Sequence, residues 1–332
     1  MTPVLQVRNL HVDYETATGP VHAVRGVNLD VHRGELVGIV GESGCGKTTL
    51  AYAITRLLRA PAHLTAGSVT FQGVHDTTPV SVTALTGGAL RKFRWDRMSM
   101  VFQGAMNALN PVQRVSAQLQ DLFHAHRPRM SKAERRTRVG ELLDLVGLPG
   151  RVARSYPHQL SGGMRQRVMI AMALALEPHV VVMDEPTTAL DVLVQREILD
   201  AISELRHRLG FAVVFITHDL SLLLEISDRI AVMYAGRVVE LGDSARLREN
   251  PQHPYTTGLL NAFPTLRSER RDRHGIPGHP PDLSVPIAGC AFADRCGFVR
   301  PECTTTDVPL LPIGGGDVAC HLYTTERQEV SR

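Results

Sequence analysis

Gly41-Glu42-Ser43-Gly44-Cys45-Gly46-Lys47-Thr48, preceded by the apolar run Leu36 to Val40 and followed by helix-compatible residues from Thr48 to Leu58, decides the fold class of this chain. A short β-branched strand that enters a glycine-rich turn and then a helix wraps backbone N–H groups around phosphate oxygens. Gly41, Gly44 and Gly46 let the backbone turn and approach those oxygens closely. Lys47 places a cation on the β and γ phosphates of a nucleotide, and Thr48 offers a hydroxyl to Mg²⁺. Ser43, Cys45 and Thr49 complete the nucleotide-contacting run, with Cys45 as a small filler.

Downstream, Val180-Val181-Val182-Met183-Asp184-Glu185 reads as an apolar strand ending in two carboxylates. Asp184, at the end of the strand proper, reaches Mg²⁺ through its water shell, and Glu185 polarises an attacking water. Between loop and strand lies Leu160-Ser161-Gly162-Gly163-Met164-Arg165-Gln166-Arg167. Ser161-Gly162-Gly163 is placed to open a helix, where the Ser161 hydroxyl and the first N–H groups favour an anion.

Further out, apolar and polar residues alternate from Leu5 to Leu36, with Gly19-Pro20 and Arg33-Gly34 as turn signals, which predicts a small antiparallel sheet. From Met106 to Gly150 the composition turns helical and charged, and Ser131 with Glu134 forms a candidate capping box. Strand patterns resume at Val180 to Met183 and Ala212 to Thr217, with a helix from Val192 to Leu209 between them, a βαβ rhythm that implies a parallel sheet. Arg229 to Glu240 predicts a hairpin around Ala235-Gly236. After roughly Asn250 the regular pattern fades among repeated prolines, and Arg267 to His274 reads as a solvated basic linker.

The chain has 332 residues, room for about two domains of ordinary size. A formal charge of +3 gives no argument for nucleic acid or lipid as a partner, and none is expected. The first ten residues lack a secretory layout, and no stretch approaches the roughly 18 uninterrupted apolar residues of a membrane span. A cytoplasmic protein that reaches the membrane only through a partner is therefore expected. Four of its five cysteines, Cys290, Cys296, Cys303 and Cys320, fall near the end of the chain, a clustering with no disulfide purpose in the cytosol.

The Leu-Ser-Gly-Gly segment between a phosphate loop and an acidic strand end resembles the signature of ABC ATPases, a branch of the P-loop NTPases. That resemblance implies an α/β P-loop core with an N-terminal antiparallel β subdomain, a helical insert over about 104–175 and a small cysteine-containing extension. It divides the chain into a nucleotide-binding domain at 1–248 and an extension at 249–332. Pro186-Thr187-Thr188-Ala189-Leu190-Asp191 resembles the family's D-loop, which adds Asp191 to the nucleotide site. Gln103, in Val101-Phe102-Gln103, matches the glutamine that senses the γ phosphate and Mg²⁺ and links the core to the insert. His218, in Ile216-Thr217-His218-Asp219, matches the histidine that contacts the γ phosphate, and Tyr14 matches the aromatic that stacks on adenine. In the family the signature completes the nucleotide site of the opposite subunit, so two chains sandwich two ATP molecules.

Tyr156 to Leu174, Asn107 to Pro111 and His253-Pro254-Tyr255 resemble the ATP-binding subunits of oligopeptide and dipeptide permeases. The resemblance implies an importer motor with a sister ATPase, a heterodimer being favoured, together with two transmembrane permease subunits and an extracytoplasmic binding protein. Relatives carrying nickel, glutathione or another small solute, and a soluble non-transport ABC ATPase, are the alternatives. Where the family usually has an acidic residue and proline after the glutamine, this chain has Gly104-Ala105. The tail pattern, Cys290-x5-Cys296-x6-Cys303-x16-Cys320, resembles this branch's C-terminal extension. Its thiols suit a [4Fe–4S] cluster, with Zn²⁺ or four unliganded thiols as alternatives. A metal staple is expected to order this proline-rich segment.

Overall fold

The computed structural model describes residues 2–73, 76–104, 108–188, 190–262 and 275–324. The basic run Arg267 to His274 lies outside the described residues, as do Ala105, Met106, Asn107 and Ala189 of the motif runs. In chain order the strands are β1 (Leu5–Thr16), β2 (Gly19–Val31), β3 (Leu36–Val40), β4 (Ala62–Phe71), β5 (Val80–Ser81), β6 (Met98–Val101), β7 (Val180–Asp184), β8 (Ala212–Ile216), β9 (Arg229–Tyr234), β10 (Arg237–Asp243), β11 (Leu311–Ile313) and β12 (Gly316–Val318). The helices are α1 (Lys47–Ile54), α2 (Gly87–Asp96), α3 (Val115–His126), α4 (Lys132–Leu145), α5 (Gly162–Leu174), α6 (Val192–Leu209), α7 (Leu220–Ile226), α8 (Ser244–Glu249), α9 (Pro254–Ala262) and α10 (Pro301–Thr305). Two compact units share these elements: residues 1–5, 31–35 and 70–215 make one, and 6–30, 36–69 and 216–332 the other. Both units draw on separated stretches of chain.

In the first unit β6 and β7 run parallel, with Met98 opposite Val180 and Val101 opposite Met183. Every residue of β7 is buried, which explains why its sequence is continuously apolar up to Asp184 instead of alternating. The next strand in sheet order after β7 is β8, reached through α6. α6 spans the predicted Val192 to Leu209; Asp191 caps its start, accepting the Val194 N–H at 2.9 Å, and Gly210 ends it in the left-handed region at φ 69°. The predicted capping box is present at α4, where Ser131 Oγ accepts the Glu134 N–H at 3.2 Å and the Glu134 carboxylate accepts the Ser131 N–H at 2.6 Å. Leu119, Phe123, Leu142, Leu143 and Val168 form the buried core of α3, α4 and α5.

In the second unit β3 pairs in parallel with β9, Val37 opposite Arg229 and Val40 opposite Val232. The predicted hairpin about Ala235-Gly236 joins β9 to β10. α1 is shorter than the run to Leu58. Arg56 adopts φ 60° and the Leu57 N–H closes on Tyr52 O at 2.7 Å, a left-handed helix stop.

Beyond Asn250, where the regular sequence pattern fades, the described residues hold α9, α10 and two short strands. β12 adds to β10 in antiparallel register, Glu240 opposite Val318, and β11 adds to β12. Arg246 fastens the turn between the two strands through Gly314 O at 2.9 Å and Ile313 O at 3.0 Å. Three-residue strands carry too few positions for a periodicity to register, so pairing onto a pre-existing edge is what orders them. Among the described residues no helix is long and apolar enough to cross a membrane.

Candidate nucleotide site

The phosphate loop belongs to the second unit. An added Cβ at Gly41 would lie 2.1 Å from Met233 O, and one at Gly46, where φ is 99°, 2.2 Å from Ala23 O, so backbone packing demands glycine at both. Lys47 is buried and its Nζ donates to Gly41 O at 2.7 Å and Glu42 O at 2.9 Å, folding the cation back over the turn. Thr48 and Thr49 stand in the first turn of α1. The Tyr14 hydroxyl, on β1, is 3.0 Å from Thr49 Oγ1, which ties the aromatic to the start of that helix. Burial pushes the Cys45 thiol up against the opposing pull of Lys47, as suits a filler. Ser43 and Gly44 are exposed on the turn, and His218 is exposed at the bend after β8. Beside it Asp219 caps α7, accepting the Leu222 N–H at 3.1 Å.

Asp184 and Glu185 belong to the first unit. Asp184 is fully buried at the end of β7. Glu185 adopts φ 45°, a left-handed conformation that is unusual for a residue with a side chain and common at functional sites. Gln103, just after β6, donates through Nε2 to Glu185 Oε2 at 2.8 Å. The Thr188 hydroxyl donates to the same oxygen at 3.0 Å. Sequence reasoning assigned Thr188 no role; its presence in the D-loop run was the available signal. Ser161 is the N-cap of α5, accepting the Met164 N–H at 3.3 Å, with Gly162 and Gly163 in the first turn as predicted.

One shared metal centre is expected for the four tail thiols; among the described residues the structure shows no group of three or more His, Cys, Asp or Glu arranged to hold a metal ion. Strand pairing and buried side chains such as Phe292, Val308 and Val318 pack the described part of the tail. None of the five cysteines is in a disulfide. The sulfurs nevertheless have the surroundings of thiolate ligands. Backbone N–H groups of Phe292 and Leu322 donate to Cys290 and Cys320, and those of Phe298 and Arg300 to Cys296 and Cys303, the last two at 3.4 Å. Burial raises the thiols of Cys290 and Cys296 and pushes that of Cys320 up to about 11.

One unit holds a strand, phosphate loop and helix, and the other an acidic strand end and a glutamine-held carboxylate; each set by itself is that of an ATP hydrolase of the ATP-binding-cassette class. The profile described as "ABC transporter" matches residues 24–188, and that described as "Oligopeptide/dipeptide transporter, C-terminal region" matches 239–303. The chain is 44% identical over 299 residues to the Dipeptide transport ATP-binding protein DppD of Bacillus subtilis (strain 168), covering 89% of this chain and 87% of the relative. It is 42% identical to the Oligopeptide transport ATP-binding protein OppD of the same organism, covering 90% and 82%. Among solved structures, a dimeric ATP-binding cassette in a post-hydrolysis state bound to ADP and Pi superposes with a TM-score of 0.63 at 32% identity, covering 72% of this chain and 98% of that one. The chain belongs to the ABC transporter family, as an ATP-binding protein of the branch that carries the oligopeptide/dipeptide transporter C-terminal region.

Proposed function

We propose that this chain powers the import of dipeptides or oligopeptides, acting at the cytoplasmic face of the cell membrane through permease subunits. The observation that carries the cargo reading is the union in one chain of the ABC transporter region and the oligopeptide/dipeptide transporter C-terminal region. Residues 1–248 serve as the nucleotide-binding domain, with a helical insert over about 104–175, and 249–332 as the extension.

In this reading the loop from Gly41 to Thr48 holds the phosphates, and Lys47 exchanges the Gly41 and Glu42 carbonyls for the β and γ oxygens. Tyr14 stacks on adenine. Thr48, Gln103 and Asp184 hold Mg²⁺, which when bound neutralises charge developing on the phosphates. Glu185 orients and polarises the attacking water, with Gln103 and Thr188 fixing its carboxylate. His218 contacts the γ phosphate. Ser161, Gly162, Gly163 and Asp191 serve the nucleotide held by a second ATPase, a sister subunit in a heterodimer. Two permease subunits and an extracytoplasmic binding protein complete the importer.

The tail thiols are read as ligands of a [4Fe–4S] cluster, with Zn²⁺ as the alternative. An N–H donor on each of the four sulfurs supports thiolate ligation. Ligation requires the tail to bring the four within reach of one centre, and metal binding supplies free energy for such a rearrangement.

The testing experiment is transport in vesicles. The chain, its sister ATPase and two permease subunits are reconstituted with the binding protein, and ATP-dependent uptake of labelled dipeptides and longer peptides is measured. Uptake of peptides that is abolished by Glu185→Gln is expected. Uptake of nickel or glutathione with no peptide uptake would reject the cargo assignment while keeping the motor.

A further inference from the structure

Arg295 of the extension uses every N–H of its guanidinium. Nε donates to Pro277 O at 2.7 Å; Nη1 to Glu42 Oε2 at 2.7 Å and Tyr234 OH at 3.1 Å; Nη2 to Glu42 Oε1 at 2.9 Å and Ile276 O at 3.4 Å. That accounts for all five donors in the fixed fork of an arginine, two of them in a bidentate pair with one carboxylate. The Arg295 side chain is 4% exposed and that of Glu42 26%. The guanidinium carbon also sits 5.7 Å from the Tyr234 ring centroid and 5.9 Å from that of Phe292.

Glu42 is the second residue of the phosphate loop, and it is held at three points. Its N–H donates to Tyr255 OH at 2.9 Å, its carbonyl accepts Lys47 Nζ at 2.9 Å, and its carboxylate takes the Arg295 fork. Tyr255 belongs to α9 and Arg295 to the turn between Cys290 and Cys296, so two of the three restraints come from beyond residue 248. The placement carries an electrostatic problem and its answer. A loop that receives a polyphosphate contains a carboxylate, and the extension delivers a buried cation to that carboxylate in the geometry that neutralises it best.

We infer that Arg295 is a positioning residue of the nucleotide site: it holds the Glu42 carboxylate aside and cancels its charge, so that the phosphate loop keeps its shape and its affinity for ATP. The inference rests on reading Gly41 to Thr48 as the phosphate loop. A pair kept only for packing would also be buried, so the test separates charge from stability.

Equilibrium ATP binding to the full chain is measured by calorimetry, alongside the thermal unfolding midpoint, for the native chain, Lys47→Ala, Arg295→Ala, Arg295→Lys and the double variant Glu42→Gln/Arg295→Ala. Removing Arg295 strands the carboxylate beside the phosphates, and ATP affinity should fall about 10-fold or more, as when one partner of a hydrogen-bonded charge pair is truncated. Arg295→Lys, which keeps the cation and loses the fork, should fall between the native chain and Arg295→Ala. The double variant should recover most of the lost affinity without recovering the native unfolding midpoint, a split that a packing role does not produce. Native-like affinity in Arg295→Ala overturns the inference, and so does a double variant as weak as the single one. If Arg295→Ala does not fold, Arg295→Gln is compared with its own Glu42→Gln double under the same criteria. Native ATP affinity in Lys47→Ala would instead sink the phosphate-loop reading itself; loss there with no loss in Arg295→Ala sinks the present inference alone.

Discussion

Gln103 Nε2 lies 2.8 Å from Glu185 Oε2, so the candidate sensor glutamine rests directly on the candidate catalytic carboxylate. The same oxygen accepts the Thr188 hydroxyl at 3.0 Å, and the residue carrying it has φ 45°. Two donors and a left-handed backbone aim this side chain, which is the precision a general base needs. Glu185→Gln keeps the shape and loses the basic oxygen. Steady-state hydrolysis by the assembled ATPase should fall about 10² to 10⁴-fold with ATP binding retained. Near-normal turnover in a preparation free of other ATPases would count against the role, and Gln103→Ala should give a smaller fall in the same assay.

Lys47→Ala should weaken ATP binding itself. The buried ammonium bridges Gly41 O and Glu42 O, so its removal also loosens the turn before any phosphate arrives. Fluorescent-nucleotide titration is the check, and an unchanged dissociation constant is the adverse result.

Gly163→Ala tests the packing of the signature helix. The new Cβ would meet Val194 Cγ1 at 2.6 Å, and a β-branched neighbour has little rotamer freedom with which to retreat. Overpacking costs about 1–3 kcal/mol, against at most about 1 kcal/mol gained from helix propensity, so net destabilisation is expected. A denaturant midpoint equal to or above the native one would contradict the contact.

Protein purified anaerobically should be brown, with iron and acid-labile sulfide in equal amounts, and serine at Cys290, Cys296, Cys303 or Cys320 should bleach it. Colourless protein with stoichiometric zinc would reject the cluster and keep the site. If neither metal is found the tail carries no metal centre, and stripping with a chelator should then leave the unfolding midpoint unchanged.

His253 is fully buried, and burial pulls its imidazole from 6.5 down to about 4. Between those two values the unfolded chain binds the extra proton, so stability falls as pH drops through that window, by up to about 3 kcal/mol. Nδ1 accepts the Tyr255 N–H at 3.1 Å, an acceptor that asparagine can replace. His253→Asn should therefore unfold with a shallower pH dependence over that interval; identical slopes for the two proteins would refute the assignment.

Much of this protein was legible in the chain because the signals are local. The capping box at Ser131 and Glu134, the cap at Asp191, the strand end at Asp184 and the helix opening at Ser161 each depend on residues within a few positions of one another. Neighbours along a chain meet whatever the rest of it does. The close approaches that make Gly41 and Gly46 obligatory are not local, since the obstructing carbonyls belong to Met233 and Ala23, but the glycines themselves betray them.

The amino-acid sequence by itself determined the phosphate loop, the acidic strand end, the signature helix and the parallel rhythm of the core. Tertiary structure alone decided that the tail would add β11 and β12 to β10, and that Gln103 and Thr188 would share one oxygen of Glu185. It alone brought Arg295 to Glu42, 253 positions away. Such pairings leave no pattern in composition or period, because loop-closure entropy is met only after the core exists, and the partner of a buried charge is chosen by the folded surface it finds.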